Sequence, residues 1–315
     1  MDALARLLDG PRGRNAYLLR ASMEPPWSVR LADEAPIGLI AVLQGTAWVT
    51  PDDGPAVELG PGAVVVSRGP AACTVADDPS TPLQVVIHPE MRCTSPGGRD
   101  LRDEMSLGLR SWGNSADGST VMLLGCYQLR GEVSQQLVRA LPQVIHLPAG
   151  ELQTPLVQML ADEMVKDDAG QSAVLDRLFD LVLVAVLRAW LAHQPPGHPG
   201  WYGALSDPVV GPVLRLVHDD PAHPWTIAEL ATRVSVSRAA LARRFSDLVG
   251  EPPMTYLTRW RLALAADRLL EPRTTVAAVA REVGYGSAFA LSAAFKRERG
   301  MSPSEHRAQR ESAPV

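Results

Sequence analysis

Two stretches decide the fold of the C-terminal third: Thr226–Pro253, TIAELATRVSVSRAALARRFSDLVGEPP, and Thr275–Pro303, TVAAVAREVGYGSAFALSAAFKRERGMSP. They are copies of one pattern. Four pairs of equivalent residues lie 50 positions apart and the alanine pair 49 apart, which places one extra residue in the second turn: Ser237/Ser287, Phe245/Phe295, Gly250/Gly300, Pro253/Pro303 and Ala231/Ala280. A hydroxyl residue precedes each apolar periodic run, as at helix N-caps. Each copy is therefore predicted to form a helix, a short turn and a helix, over 227–249 and 276–299.

The two copies resemble a known family. The segments IAELATRV (227–234) and VAREVGY (279–285), with the Ser, Phe, Gly and Pro that follow each, are similar to the two motifs of AraC/XylS transcription regulators. The resemblance covers residues 207–310 and implies an all-α domain with two helix-turn-helix motifs that binds double-stranded DNA. It also implies a long connecting helix, here over 254–270. Such a helix spans roughly 25 Å at about 1.5 Å per residue, which suits recognition helices near the roughly 34 Å spacing of successive major grooves.

The resemblance also implies which residues face DNA. In the first recognition helix, Arg243 is expected to contact guanine, Ala239 and Ala242 to offer apolar contact, and Arg238 and Arg244 to contact phosphates. The corresponding set of the second helix has few polar residues. This motif is therefore expected to anchor mainly through backbone contacts, with Lys296 and Arg297 near phosphates, and sequence readout is expected to depend on the first motif and on DNA shape. With the capping serines, the predicted DNA-binding set is Ser237, Arg238, Ala239, Ala242, Arg243, Arg244, Ser287, Ala288, Phe289, Ser292, Lys296 and Arg297, with Ala293 also at a base-facing position. The alternative for the arginines is a solvated helix face.

The first 90 residues read as short strands. Apolar or β-branched runs alternate with turn formers at the spacing of an all-β sandwich or barrel; the runs are Trp27–Leu31, Ile37–Val42, Thr46–Val49, Val57–Leu59, Ala63–Ser67, Cys73–Val75 and Leu83–Ile87. Residues 1–150 resemble the cupin-type barrel of some AraC regulators, with cupin-like turns at 45–48 and 59–62. Two helices are predicted over 152–165 and 173–192, the second apolar on nearly all sides. The fold class is thus a cupin-like β-barrel with a helical extension (1–195, helices within 151–193), followed by an all-α domain. A Pro/Gly break at 194–200 divides them.

The N-terminal domain is expected to sense a small-molecule or redox effector and to form a homodimer. Cys93 lies near His88 and Arg92, a setting that lowers a thiol pKa, so a thiol switch using Cys93 with Cys73 and Cys126 is one alternative. A buried, inert thiol is the other reading. The seven histidines are dispersed without a His-x-His pair. We therefore expect no metal, no cofactor and no catalytic residues, and a cupin-type oxygenase is the least favoured alternative.

Length, charge and cysteine content agree with this interpretation. A chain of 315 residues suits two domains. The formal net charge is −8 over 1–206 and +3 over 207–315, so the basic excess lies in the predicted DNA-binding part. Three cysteines fit a reducing compartment, and no signal peptide or membrane-length apolar run stands out. We expect a cytoplasmic, nucleoid-associated activator that contacts RNA polymerase and no membrane, and that has no enzymatic activity.

Overall fold

The computed structural model describes residues 17–127, 131–193 and 201–311. Residues 17–127 and 141–193 form one compact unit, the sheet unit, and residues 131–140 and 201–311 form another, the helical unit. Residues 131–140 were predicted as part of the N-terminal domain, yet they pack with the C-terminal helices. The predicted Pro/Gly break at 194–200 lies outside the described residues.

Within the described residues, the sheet unit contains all the strands and two of the helices. Its strands, within the described residues, are β1 (Tyr17–Met23), β2 (Ser28–Leu31), β3 (Ile37–Gln44), β4 (Ala47–Pro51), β5 (Val57–Leu59), β6 (Val64–Arg68), β7 (Cys73–Ala76), β8 (Val85–Ile87), β9 (Cys93–Thr94), β10 (Ser106–Gly108), β11 (Ser111–Gly113), β12 (Thr120–Tyr127) and β13 (Val144–Leu147). They form two sheets, in the orders β10-β11-β1-β12-β3-β6-β13 and β5-β4-β7-β2-β8-β9. Side chains such as Trp27, Ile40 and Val65 fill the core of this unit. The predicted mostly-sheet, cupin-like fold is confirmed.

Strand β1 is the main element that the sequence pattern missed. It pairs antiparallel with β12 from Tyr17↔Cys126 to Met23↔Thr120 and parallel with β11. It therefore occupies an inner place in the larger sheet. The seven strands predicted in the first 90 residues are all present, with ends that shift by up to two residues.

The helices are α1 (Glu132–Ala140), α2 (Leu156–Met164), α3 (Gln171–Ala192), α4 (Trp201–Ser206), α5 (Val210–Asp219), α6 (Ile227–Arg233), α7 (Arg238–Val249), α8 (Pro253–Leu269), α9 (Val276–Glu282), α10 (Ala288–Arg299) and α11 (Pro303–Glu311). No helix in the described ranges is both long enough and apolar enough to cross a membrane. A short 3-10 turn covers Pro89–Met91.

Helix α3 packs closely on the larger sheet. The rings of Phe179 and Tyr127 stack with centroids 4.2 Å apart and planes 10° apart. The contact requires Gly125 in β12, because a Cβ there would lie 2.6 Å from Cε2 of Phe179. Helix α3 is buried on one side, where Leu175, Phe179 and Val182 lie, whereas Val174 is 45% exposed and Leu181 is 50% exposed.

The helical unit contains the two predicted helix-turn-helix pairs, α6–α7 and α9–α10. The small residues Ala231 and Ala280 are buried where the paired helices meet, as expected. Phe245 and Phe295 are also buried, each in its own pair. The turns are built alike: Val236 donates its backbone N–H to Ala231 and Tyr285 donates to Ala280. The residue before each donor has a left-handed backbone, Ser235 at φ 55° and Gly284 at φ 83°.

Helix α1 lies between β12 and β13 in sequence but belongs to the helical unit. The carboxylate of Asp267, in α8, accepts hydrogen bonds from the backbone N–H groups of Glu132 at 2.6 Å and Val133 at 3.1 Å. The side chain of Glu132 also pairs with Arg299 of α10, at 3.0 Å. This helix is therefore fixed to both α8 and α10.

Candidate nucleic-acid interface

Four side-chain caps set where the helices of the two motifs begin. The hydroxyl groups of Ser237 and Ser287 each accept a hydrogen bond, at 3.1 Å, from the backbone N–H three residues on. Thr226 and Thr275 do the same for the preceding helices, at 3.2 Å. Such bonds satisfy N–H groups that lack a partner inside the helix. All four predicted caps are confirmed.

Helix α7, the predicted first recognition helix, presents a mixed apolar and cationic face. Arg238, Ala239 and Arg243 are exposed, and Ala242 is half-buried. Within the described part of the chain, neither Arg238 nor Arg243 takes part in an ion pair. The guanidinium of Arg243 is thus available for the bidentate contact with guanine that the sequence predicts.

Arg244, for which the sequence predicts a phosphate contact, forms an ion pair within the helical unit. Its Nη2 lies 2.8 Å from Oδ2 of Asp207, and its Nε lies 3.0 Å from the same oxygen. The side chain of Asp207 is 4% exposed and also accepts backbone N–H bonds from Val209 and Val210 at the start of α5. Burial raises the pKa of Asp207, but the hydrogen bonds from Arg244 and from those two N–H groups outweigh it and lower the pKa below its usual value. Arg244 therefore holds α7 against the residues before α5.

The second recognition helix, α10, presents small, apolar and cationic side chains. Phe289 is 84% exposed, which is the largest value among the exposed large hydrophobic residues of the described chain. Ala293, Lys296 and Arg297 are also exposed, while Ala288 and Ser292 are half-buried. Lys296 and Arg297 form no ion pair with the residues that the structure describes. The sequence predicts few polar residues at the base-facing positions of this helix, and the exposed Phe289 and Ala293 agree with that prediction.

Other arginines of the helical unit form ion pairs or hydrogen bonds with residues of the same unit. Arg268 pairs with Glu282 at 2.8 Å and with Glu271 at 2.6 Å. Arg307 donates to the carbonyl groups of Leu269 and Thr274 at 2.8 and 2.6 Å. Arg261 donates in the same way to Pro221, at 2.7 Å. These three arginines have partners within the protein, unlike the exposed cations of α7 and α10 that form no ion pair with the described residues.

The helix α8 joins the two motifs. It contains 17 residues, from Pro253 to Leu269, and is about 25 Å long at roughly 1.5 Å per residue. Its buried residues include Tyr256, Leu257 and Trp260. The predicted connecting helix at 254–270 is therefore present, one residue earlier at each end.

The structure does not favour the thiol alternative. Cys73, Cys93 and Cys126 are free and buried. Burial, the largest effect, raises the pKa of Cys73 to about 12 and of Cys126 to about 11, and raises that of Cys93 as well. A raised pKa disfavours the thiolate, which is the reactive form.

No metal centre is visible in the described residues, where no group of three or more His, Cys, Asp or Glu side chains could hold an ion. His88, considered with Cys93 in the sequence, instead forms a hydrogen bond with Thr94, with Nε2 2.9 Å from Oγ1.

The sheet unit contains a small cavity of about 50 Å³ and a cleft of about 500 Å³ that shares part of its lining. Tyr17, Leu19, Ile87, Met91 and Trp112 line both spaces. Cys73 and Cys126 line the cavity, whereas Cys93 lines the cleft. The structure thus groups only two of the three cysteines around one space.

Comparisons with known proteins agree with the two units. Residues 2–192 match the family described as Cupin, and residues 230–309 match the family described as Helix-turn-helix domain. An AraC-like transcription regulator of Streptomyces lividans is 35% identical over 288 residues, which cover 89% of this chain and 90% of that relative. Another, of Streptomyces antibioticus, is 41% identical over 198 residues, covering 61% of this chain and 65% of that relative.

A solved structure, the DNA-binding domain of the global transcriptional factor AdpA in complex with a target DNA, is 30% identical and covers 34% of this chain and 100% of that one, with a TM-score of 0.32. The relative from Streptomyces lividans is matched over 90% of its length, and both family descriptions match as well. These findings lead to one assignment. The chain belongs to the AraC-like family of DNA-binding transcription regulators, with a cupin domain before its helix-turn-helix domain.

Proposed function

We propose that the protein binds two adjacent major grooves of double-stranded DNA, one with α7 and one with α10. The observation that carries this proposal is the duplication itself. The two motifs have equivalent side-chain caps and equivalent hydrogen bonds in their turns. In both, the residue before the donor of the turn hydrogen bond has a left-handed backbone. A helix of about 25 Å joins them, a length compatible with successive major grooves roughly 34 Å apart.

The charges on the two helices support the same proposal. Arg238 and Arg243 on α7, and Lys296 and Arg297 on α10, are exposed and outside the ion pairs of the described protein. We assign Arg243 to a guanine contact and the other three to phosphates, which position the protein without specifying sequence. Ser237 and Ser287 act by fixing the first turns of the helices, since their hydroxyls cap them.

Fluorescence anisotropy tests this proposal. The full chain is titrated with DNA fragments from upstream of its own gene and the neighbouring genes, over a series of salt concentrations. Arg243→Ala is compared with Arg215→Ala, an exposed arginine of α5 that removes the same charge from another helix. We expect sequence-dependent binding that Arg243→Ala weakens by roughly 10-fold or relaxes at one guanine, while Arg215→Ala changes it little. If the affinity differs little between fragments and falls steeply with salt concentration, the protein is attracted to phosphates without reading sequence, which would contradict the guanine contact.

We further propose that a small molecule in the sheet unit modulates DNA binding. The support is the apolar cavity, which opens beside a cleft large enough for a small ligand. A thermal-shift screen against small metabolites tests this. A true effector should raise the melting midpoint of the wild type but not of Leu124→Trp, which fills the cavity, and should change DNA affinity. A binder that stabilises both proteins equally would lie elsewhere.

Met159, Val174 and Leu181 are 48%, 45% and 50% exposed on α2 and α3, and we propose that these apolar side chains contribute to a homodimer interface. Leu181→Glu should then convert a dimer to a monomer in sedimentation equilibrium. We also propose that the protein acts as an activator in the cytoplasm, without enzymatic activity, and contacts RNA polymerase through the exposed face of 254–310. Run-off transcription with and without the protein tests that role.

A further inference from the structure

Phe289 is the feature of α10 that a solvated helix face does not explain. Its side chain is 84% exposed, and single apolar residues at a surface are common. This one, however, is the second residue of a recognition helix, immediately after the cap Ser287 and Ala288. The first turn of such a helix is the part that approaches base edges in a major groove.

The neighbours of Phe289 make the helix face specific. Residues at i+3, i+4, i+7 and i+8 share a face of a helix, and from Phe289 these are Ser292, Ala293, Lys296 and Arg297. The face therefore begins with an aromatic ring, continues with two small side chains and ends with two exposed cations. The opposite side of α10 is fixed in the core by Leu291, Ala294 and Phe295. Because the middle of the face is small, the ring is its most prominent group.

The charges indicate what covers this face. The cations of Lys296 and Arg297 suit a polyanion, and the apolar ring, about two helical turns away, requires an apolar group in the same partner. DNA offers one in the major groove, the C5 methyl group of thymine. The face has one hydroxyl, that of Ser292, and no amide or guanidinium near the ring with which to read a base by bidentate hydrogen bonds.

The two motifs differ at equivalent positions, 50 residues apart. Position 239 is alanine where position 289 is phenylalanine, and position 243 is arginine where position 293 is alanine. We propose that Phe289 is a specificity-determining residue that reads a thymine methyl group in the half-site under α10. The first motif then reads guanine through Arg243, and the second reads thymine through Phe289. This inference rests on the proposed binding of both motifs to DNA.

Single replacements of thymine by deoxyuridine test the inference, since they remove the methyl group and leave the base pair intact. A duplex bound sequence-specifically by the full chain is footprinted, and each thymine in the footprint is replaced in turn. We expect one or two positions, on the side contacted by α10, where wild-type affinity falls about fourfold, the factor that corresponds to one buried methyl-sized group.

Phe289→Ala should bind the thymine and the deoxyuridine duplexes with equal affinity, and its affinity for the thymine duplex should be lower than that of the wild type. Leu109→Ala, which truncates another exposed apolar side chain (56% exposed) in the sheet unit, should keep the wild-type discrimination. Arg243→Ala should bind more weakly yet still distinguish the two duplexes. Since Phe289 is exposed, Phe289→Ala should keep the wild-type melting midpoint, so a loss of discrimination is not a loss of fold.

Two results would overturn the inference while leaving DNA binding by both motifs intact: sequence-dependent binding without sensitivity to any deoxyuridine, or full sensitivity retained by Phe289→Ala. Absence of sequence-dependent binding by the wild type would instead defeat the proposed function, and the inference with it.

Discussion

The carboxylate of Asp267 caps the helix that begins at Glu132, although the two residues are 135 positions apart in the chain. The same carboxylate also accepts the N–H of Val133. Burial raises the pKa of Asp267, and the two backbone hydrogen bonds oppose that rise. A long-range contact thus does for α1 what serine and threonine do locally for the helices of the two motifs.

Replacement of Asp267 should release the start of α1. We expect Asp267→Ala to lower the free energy of unfolding by about 1–2 kcal/mol, the range for a lost N-cap, and to speed hydrogen exchange at the amides of Glu132 and Val133. Asp267→Asn keeps one acceptor oxygen and should have a smaller effect. Unchanged exchange at both amides in Asp267→Ala would contradict this role.

The pair of Asp207 and Arg244 should make stability depend on pH. The folded-state pKa of Asp207 is lowered, so the folded protein favours its charged form. The charged Asp207 contributes fully to the free energy of unfolding at pH values above the ordinary Asp pKa of about 3.9. This contribution is lost as the pH falls through the lower folded-state pKa of Asp207. Urea unfolding should show a loss of about 2 kcal/mol in Asp207→Asn near neutral pH, a moderate value because Arg244 is half exposed.

The difference between wild type and Asp207→Asn should shrink at acid pH, since protonation removes the charge that the substitution removes. Asp247→Asn is a suitable control, because Asp247 is an exposed acid of α7. A difference that stayed constant from neutral to acid pH would show that the carboxylate charge is not responsible.

Gly125 should not accept a side chain. A Cβ at this position meets the ring of Phe179, so Gly125→Ala should destabilise the sheet unit by about 1–3 kcal/mol, as overpacking does. Phe179→Leu removes the ring and should itself cost stability. In the double variant, however, the effect of Gly125→Ala should largely vanish, which thermal unfolding of the four proteins measures. Strictly additive effects would contradict direct contact.

The three cysteines should react slowly. Since their thiols are buried and their pKa values raised, iodoacetamide at neutral pH should modify them far more slowly than free cysteine, and mild peroxide should leave DNA affinity unchanged. Mass spectrometry over time measures the modification. Rapid modification of Cys93 in the folded protein would restore the thiol-switch alternative.

What the sequence reveals depends on how local each interaction is. The caps at Ser237 and Ser287 involve a bond across three residues, and the repeat shows both, so the two motifs and their boundaries follow from the pattern. Seven strands are visible in the same way, because turn formers separate them. Strand β1 and helix α1 depend on partners that are remote in sequence, Thr120–Tyr127 and Asp267 respectively, and were not predicted.

The role of individual arginines is the part that sequence predicts least. Arg243 and Arg244 are adjacent and chemically identical, yet one is exposed outside the ion pairs of the described chain and the other is held by Asp207, 37 residues earlier. The exposure of Phe289 likewise depends on which face of α10 is packed. The sequence contains one local signal for α1: Glu132 lies in its first turn, where an acidic residue is favoured, and Arg139 lies in its last turn, where a basic residue is favoured.

The insertion of α1 between two strands has a consequence for any attempt to dissect the protein. The helical unit is discontinuous in the chain, because residues 131–140 precede β13 while the other described residues of this unit start at 201. A fragment that begins at the Pro/Gly break would contain Asp267 but not the backbone N–H groups that donate hydrogen bonds to it. It would also lack Glu132, the ion-pair partner of Arg299. A faithful excised DNA-binding fragment therefore has to carry residues 131–140 as well, either spliced in front through a new linker or supplied as a separate peptide.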